Sequence, residues 1–310
     1  MYDVVSLGEL LIDLIPNEDY TPNHFCYEAK IGGAPVNVLS GLAKWGHSTA
    51  YMAKVGNDSF GRYIKQKLEN GKIHSENVVI DRTAPTTIAV VSLDQNRERT
   101  FDFIRNPGAD QLLTNKEVNY ELIKQAKIFH FGSLSLTHNP SREATLEALK
   151  FSKKHNKIIS FDPNYRPLLW SSKEEAYELM AEALKWADIV KIAAEELQFM
   201  TNESNLLKAV DRLIDTYDIP LVFVTKGKDG AFVKCKEYLL EEQGYKVNAI
   251  DTTGAGDAFM ASILHQYLLR GKSIHQLNRE DLLDMLTFAN DMASKSTTQK
   301  GGFGIVPALV

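Results

Sequence analysis

The segment Asn248-Ala249-Ile250-Asp251-Thr252-Thr253-Gly254-Ala255-Gly256-Asp257-Ala258-Phe259 combines what phosphate binding and proton abstraction require. Two glycines allow a tight, open turn, so the N–H groups of Gly254, Ala255 and Gly256 can converge on an anion. The apolar helical pattern that follows, from about Ala258 to Arg270, adds the positive end of its dipole. Asp257 stands at the mouth of that anion hole, where a carboxylate can act as a base. An ordinary turn with an N-capping aspartate has the same outline, so the segment takes its meaning from the rest of the chain.

Other polar groups cluster where strand patterns end. After the first strand come Gly8-Glu9-Leu10-Leu11-Ile12-Asp13, read as a turn, and Ile31-Gly32-Gly33-Ala34-Pro35-Val36-Asn37 opens the first long helical pattern. Asp13 offers an acceptor and Asn37 both a donor and an acceptor, while Gly32 and Gly33 let backbone N–H groups approach a ligand. Such a set suits several hydroxyls. Asp162-Pro163-Asn164-Tyr165-Arg166 follows another strand, so Asn164 and Arg166 are candidates for a polar ligand, with Arg105 reaching in from elsewhere. In Val224-Thr225-Lys226-Gly227-Lys228-Asp229-Gly230 a strand ends in a threonine and two glycines, a nucleotide-like arrangement in Thr225, Gly227 and Gly230. Asn290, on a late helix, could line an adenine pocket.

The better-known phosphate motifs are missing. Gly271-Lys272-Ser273 imitates the end of a Walker loop, but Gln266 takes the place of its first glycine and a helix precedes it. The dinucleotide fingerprint fails because Phe259 stands where its third glycine belongs. A nicotinamide-dependent oxidoreductase is therefore disfavoured.

Something must hold these groups at one edge. Asp3 to Leu7, Thr49 to Val55, Lys127 to Phe131, Lys157 to Phe161, Asp188 to Lys191 and Leu221 to Thr225 read as buried strands. Amphipathic patterns at Pro35 to Trp45, Phe60 to Asn70, Pro140 to His155 and Lys173 to Trp186 separate most of them. This alternation predicts an α/β fold: a central, mainly parallel sheet flanked by helices, with ligands beyond the carboxyl ends of its strands. Residues 17–31 and 84–105 break the rhythm and read as strands without helices, the second as a hairpin around Asp94-Gln95-Asn96-Arg97-Glu98. They predict a small β-sheet lid inserted in one domain spanning 1–310. A lid suits phosphoryl transfer, which must keep water from the donor.

Composition narrows the class. With 310 residues, 44% hydrophobic and 24% charged, the chain is long enough for a large core and ordinary for a globular protein. A net charge of -5 gives no footprint for nucleic acid or an anionic membrane surface. No run approaches the length of a membrane span, and the N-terminal residues lack the basic start of a signal peptide, so a cytoplasmic location is expected. Cys26 and Cys235 read as two unpaired thiols in a reducing compartment.

Taken in order, these motifs resemble the ribokinase-like (PfkB) sugar kinase family over essentially the whole chain. Asp251-Thr252-Thr253-Gly254-Ala255-Gly256-Asp257 is similar to its C-terminal signature and Gly32-Gly33-x-x-x-Asn37 to its N-terminal one. The resemblance implies that Asp257 is the base and that Gly254, Ala255 and Gly256 hold the transferring phosphoryl group. It implies sugar contacts from Asp13, Gly33, Asn37, Arg105, Asn164 and Arg166. It further implies nucleotide contacts from Thr225, Gly227 and Asn290, and a monovalent cation, K⁺, near Asp251 and Thr253. The family's Asn-x-x-Glu, which organises magnesium through water, is here Ala193-Ala194-Glu195-Glu196, so Glu196 keeps the acid and Ala193 loses the amide. Within the family, Phe131-Gly132-Ser133-Leu134-Ser135-Leu136 and Phe161-Asp162-Pro163-Asn164-Tyr165-Arg166-Pro167 with Trp170 look most like fructokinases.

The expected function is therefore phosphorylation of a primary hydroxyl, at C6 of fructose, by ATP with Mg²⁺. A kinase of 2-keto-3-deoxygluconate is the runner-up, since an arginine suits a carboxylate, and a sugar sensor without turnover is the competing class. Placed near a helix N-terminus, Asp257 is expected to have a low pKa. An exposed lid edge could pair two copies into a homodimer unless charges such as Arg97, Glu98 and Arg99 blunt it.

Overall fold

A computed structural model describes residues 1–17, 19–21, 24–93 and 99–309. The chain opens with β1 (Tyr2–Leu7), β2 (Leu11–Pro16), β3 (Tyr27–Gly32), α1 (Ala34–Lys44), β4 (Thr49–Gly56) and α2 (Ser59–Asn70). Next come β5 (Ile73–His74), β6 (Val78–Asp81), β7 (Ile88–Leu93), β8 (Arg99–Ile104), α3 (Tyr120–Gln125), β9 (Ala126–Gly132) and α4 (Ser141–Lys154). The alternation continues through β10 (Ile158–Asp162), α5 (Lys173–Leu184), β11 (Ile189–Ala193), α6 (Ala194–Thr201), α7 (Leu206–Tyr217) and β12 (Leu221–Thr225). It closes with β13 (Ala231–Cys235), β14 (Leu239–Glu242), α8 (Ala255–Arg270) and α9 (Arg279–Ser296).

Among the described residues, ten strands form the main sheet in the order β14-β13-β12-β11-β10-β9-β1-β4-β5, with β6 also paired to β4. Pairing is parallel from β12 across to β5 and antiparallel only where β13 and β14 extend the edge. Parallel strands buried on both faces read as continuous apolar runs, and adjacent side chains divide between the two faces. In β1, Val4 packs with Leu39 and Leu42 of α1, Met260 and Ile263 of α8 and Met285 of α9, while Val5 belongs to the opposite cluster with Leu149 of α4, Met180 of α5 and Leu213 of α7. Phe223 and Val222 of β12 split the same way. Two apolar clusters thus clamp the sheet and hold the carboxyl ends of β1, β10, β11 and β12 at one edge. No helix among the described residues is long and apolar enough to cross a membrane.

A separate four-stranded sheet has the order β3-β2-β7-β8, with β2 parallel to β7 and the outer pairs antiparallel. It uses the two regions without helices, but it also takes β2 from the stretch read as a turn. Asp13 is a strand residue, paired across to Lys30 and Ala89. Only Gly8, Glu9 and Leu10 separate β1 from β2, too few for a helical crossover, so the chain leaves the main sheet directly for the small one. Asp94 to Glu98, including Arg97 and Glu98, lie outside the described residues, as does the side chain of Arg99.

Arg105, at the foot of β8, is engaged within the protein. It is buried, its Nε and Nη2 donate to Asp110 at 2.9 and 2.6 Å, and Nη1 donates to the Thr137 hydroxyl at 3.0 Å. Asp110 in turn accepts from the Thr87 hydroxyl. The guanidinium ties the base of the small sheet to the loop after β9 because a charge buried at this depth must be paired. Arg105→Met, which strands Asp110 without its partner, should cost about 3–5 kcal/mol in a urea unfolding series. An unchanged midpoint together with weakened sugar binding would return Arg105 to the ligand site.

Candidate active site

Helix α8 begins at Ala255, three residues earlier than its sequence pattern suggests, with Gly254 as its N-cap. Gly254 has φ +77°, and a β-carbon there would lie 2.8 Å from the Gly302 backbone, so only glycine fits this turn. Asp257 therefore lies inside the first helical turn rather than before it. Its Oδ2 accepts from Asn37 Nδ2 at 2.8 Å, which ties α8 to α1.

The start of α1 is built with similar economy of space. Gly33 has φ +122°, and a side chain there would meet the Glu9 carbonyl at 2.5 Å. Glu9, at the end of β1, accepts from the Ala34 N–H through Oε1 at 2.8 Å and so caps the helix. The Gly32 backbone leaves room for the Asp13 carboxylate, which a β-carbon at position 32 would approach to 2.4 Å.

Two cavities meet at the glycine loop. One, of about 400 Å³, is lined by Glu9, Asp13, Gly33, Asn37, Asn164, Arg166, Lys191, Thr253, Gly254 and Asp257, with Leu11, Ala89 and Phe103 on the side of the small sheet. The other, of about 680 Å³, is lined by Thr225, Gly227, Gly230, Tyr245, Val247, Ala249, Ala255, Phe259 and Asn290. Thr252 and Gly256 border both. Asn290 is fixed by donating to the Gln243 carbonyl at 2.6 Å. Of the residues singled out from the sequence, Asp13, Gly33, Asn37, Asn164 and Arg166 line the smaller space and Thr225, Gly227, Gly230 and Asn290 the larger, with the glycine loop as the common wall; Gly32 and Arg105 line neither.

Glu196 and Asp251 are each held by backbone N–H groups. Glu196 lines neither cavity: its carboxylate accepts the N–H groups of Tyr165 and Ala193 at 2.7 and 2.8 Å, holding the Asn164 to Arg166 segment against the start of α6. Asp251 is buried and accepts from the N–H groups of Thr253 and Gly301 at 2.8 and 3.0 Å, shaping the loop. No group of three or more histidine, cysteine or acidic side chains converges as a metal cage among the described residues. Asp251 and Thr253 supply oxygens of the kind a monovalent cation takes.

The electrostatics reverse one expectation. Burial raises the pKa of Asp257, outweighing the lowering by the Asn37 hydrogen bond and by Lys191 and Arg166. Desolvation thus sets the direction of the shift, opposite to what the helix start alone would give. Asp13 is pushed up to about 7 by burial, with Arg166 opposing and Asp257 and Asp251 adding to the rise. Glu9 is likewise pushed up to about 7, chiefly by burial.

Sequence reasoning missed Glu9, Thr252 and Lys191 as site-lining groups. For Lys191 a signal exists, since a lysine in the middle of the apolar strand Ile189–Ala193 has to point at something charged.

A family model described as "pfkB family carbohydrate kinase" matches residues 1–308. The chain is 37% identical to "Fructokinase-1" of Oryza sativa subsp. japonica, over 99% of this chain and 95% of that protein. A fructokinase from Vibrio cholerae O395, solved in a fructose-, ADP- and potassium-bound form, superposes with a TM-score of 0.88 at 34% identity, covering 99% of this chain and 96% of that one. The fructokinase of Xylella fastidiosa with bound ATP also reaches 0.88, at 27% identity and the same coverage.

The raised pKa of Asp13 has a measurable consequence. The folded chain keeps this proton up to about pH 7, whereas an unfolded chain releases it near pH ~4, so rising pH across that window costs the folded state stability. Asp13→Asn removes this dependence, and its stability relative to the parent chain should grow steadily from pH 4 to 7 in thermal unfolding. Parallel stability curves would show that Asp13 is ionised throughout.

Proposed function

The chain belongs to the pfkB family of carbohydrate kinases, and we propose that it transfers the γ-phosphoryl group of ATP to the C6 hydroxyl of fructose. The observation that carries this reading is the shared wall: the loop from Thr252 to Asp257 borders a cavity of sugar size with mixed polar and apolar walls and a larger, mostly apolar cavity of nucleotide size. Full-length similarity to fructokinases supports fructose over other acceptors. Mg²⁺ and K⁺ complete the requirements, the first neutralising phosphate charge and the second supporting the anion loop beside Asp251 and Thr253.

The chain's own groups then divide the work. Asp13, Asn37, Asn164 and Arg166 hold the sugar hydroxyls, with Gly32 and Gly33 giving them room. Thr225, Gly227, Gly230 and Asn290 hold the nucleotide. Asp257 takes the proton of the attacking hydroxyl, and Asn37, by donating to Asp257 Oδ2, holds the carboxylate in place. The N–H groups of Gly254, Ala255 and Gly256 stabilise the charge of the phosphoryl group in transit. A loose transition state asks little of the base until late in the reaction, so positioning and charge stabilisation contribute most.

The small sheet forms one wall of the sugar cavity through Leu11, Asp13, Ala89 and Phe103. We read it as the lid of the single domain, closing over bound sugar to exclude water. Its outer strands, β3 and β8, have one strand partner each among the described residues, and they are the edges through which two copies would pair.

The test is an ADP-release assay with fructose, glucose, ribose, tagatose and 2-keto-3-deoxygluconate, in the presence of Mg²⁺ and K⁺. Fructose should give the highest kcat/KM; preference for 2-keto-3-deoxygluconate would reassign Arg166 to a carboxylate. Asp257→Asn should lower kcat by about 10²- to 10⁴-fold with little change in fructose affinity. Near-normal turnover in that variant would remove Asp257 from the chemistry, and absence of turnover with every sugar would favour a sensor. For the dimer, sedimentation that finds only monomer at high concentration would exclude pairing through the small sheet.

A further inference from the structure

Lys191 is a buried charge that the proposed reaction leaves without a task. It lies in β11 between Val190 and Ile192, both fully buried, and is itself only 6% exposed. Its Nζ donates to Asp162 at the end of β10, 3.2 Å from Oδ1 and 3.1 Å from Oδ2. An ammonium has three N–H donors. One carboxylate is the only hydrogen-bonding partner Lys191 has among the described residues, so donor capacity remains.

The position of the ammonium says where that capacity points. A β-carbon at Gly256 would lie 2.7 Å from Nζ, so the charge sits directly against the glycine loop at the start of α8. Lys191 lines the smaller cavity together with Asp257 and Arg166, and Gly256 borders both cavities. The junction of the two spaces is where a phosphoryl group must pass. Burial opposes the charge on Lys191, but Asp162, Glu196 and Asp257 together raise its pKa and keep it protonated. A buried ion pair adds little to stability on its own account, because desolvation consumes most of the attraction.

Resting on the kinase reading above, we infer that Lys191 donates to an oxygen of the phosphoryl group in transit, and that Asp162 is the positioning residue that aims it. In the step it assists, the acceptor oxygen forms a bond to the γ-phosphorus while the bond from that phosphorus to the β,γ-bridging oxygen breaks. The electron pair of the broken bond stays on ADP, and the hydroxyl proton goes to Asp257. Lys191 keeps its own protons and offsets the negative charge that the phosphoryl oxygens carry. It does at a fixed point of the protein what Ala193, on the same face of β11 two residues later, has no polar group to do. Gly256 is part of the same device, since any larger residue would displace the ammonium from the loop.

Lys191→Met keeps the unbranched apolar stem of the side chain and removes the charged end. Its kcat with fructose should fall by about 10²- to 10³-fold, as for loss of an oxyanion donor, while the dissociation constants for fructose and ATP change less than about threefold. Binding of ADP with aluminium fluoride, Mg²⁺ and fructose, a mimic of the phosphoryl group in transit, should weaken by a comparable factor. The double variant Asp162→Asn with Lys191→Met leaves no unpaired buried charge, so it folds even if the single variant does not, and it should stay as inactive. Recovery of the parent kcat in the double variant would show that Lys191 serves only to neutralise Asp162. A less than threefold fall in kcat for Lys191→Met would overturn the inference as well. In either case turnover by the parent chain would leave the kinase reading intact, whereas a parent chain without turnover would fail that reading first.

Discussion

Asp257 is kept out of water without being left unsupported, two demands that a buried carboxylate at the edge of a cavity makes on the whole fold. Burial raises its pKa, and the Asn37 hydrogen bond with the charges of Lys191 and Arg166 opposes that rise. Those three partners come from α1, from β11 and from the loop after β10, none of them adjacent to α8 in sequence. The arrangement survives only if two apolar clusters hold the sheet and its helices in fixed relation. Packing of Leu39, Met260 and Phe223 on one face of the sheet is in this sense part of the active site.

The same constraint explains the distribution of charge around the cavities. Glu9, Asp13, Asp162 and Asp257 concentrate negative charge near a space that must also admit an anionic phosphoryl group. Lys191 and Arg166 balance part of it, and burial pushes Glu9 and Asp13 toward their neutral forms. Arg105 illustrates the opposite outcome. Its charge is paired with Asp110 and its remaining bonds run to Thr137 and the Leu134 carbonyl, so it braces the small sheet.

Backbone geometry at two positions carries comparable weight. Gly33 and Gly254 both lie at positive φ and both serve as N-caps, one opening α1 beside the sugar groups and the other opening α8 beside the phosphoryl path. At each, the space for a β-carbon is already taken by another backbone, the Glu9 carbonyl in one case and Gly302 in the other. Two helix N-termini are thereby brought to one junction, where their N–H groups favour anionic and hydroxylic ligands.

Much of this was legible in the chain itself, because short-range physics determines it. Apolar runs of strand length alternating with amphipathic segments require a parallel sheet with helices on both faces, and the glycine turns require backbone conformations other residues avoid. Asn164, Arg166 and Thr225 could be singled out because ligands gather where such strands end, and they do line the two cavities, as do Asn37 and Asn290 from their helices. The roles of Arg105, Glu196 and Lys191 could not be read in this way. Each is a charged residue whose meaning depends on which partner lies across the fold: Asp110 and Thr137 for the first, the Tyr165 and Ala193 N–H groups for the second, Asp162 and Gly256 for the third. Pairing of a buried charge is decided by distances of a few ångströms between segments far apart in the chain, and only the tertiary structure sets those distances.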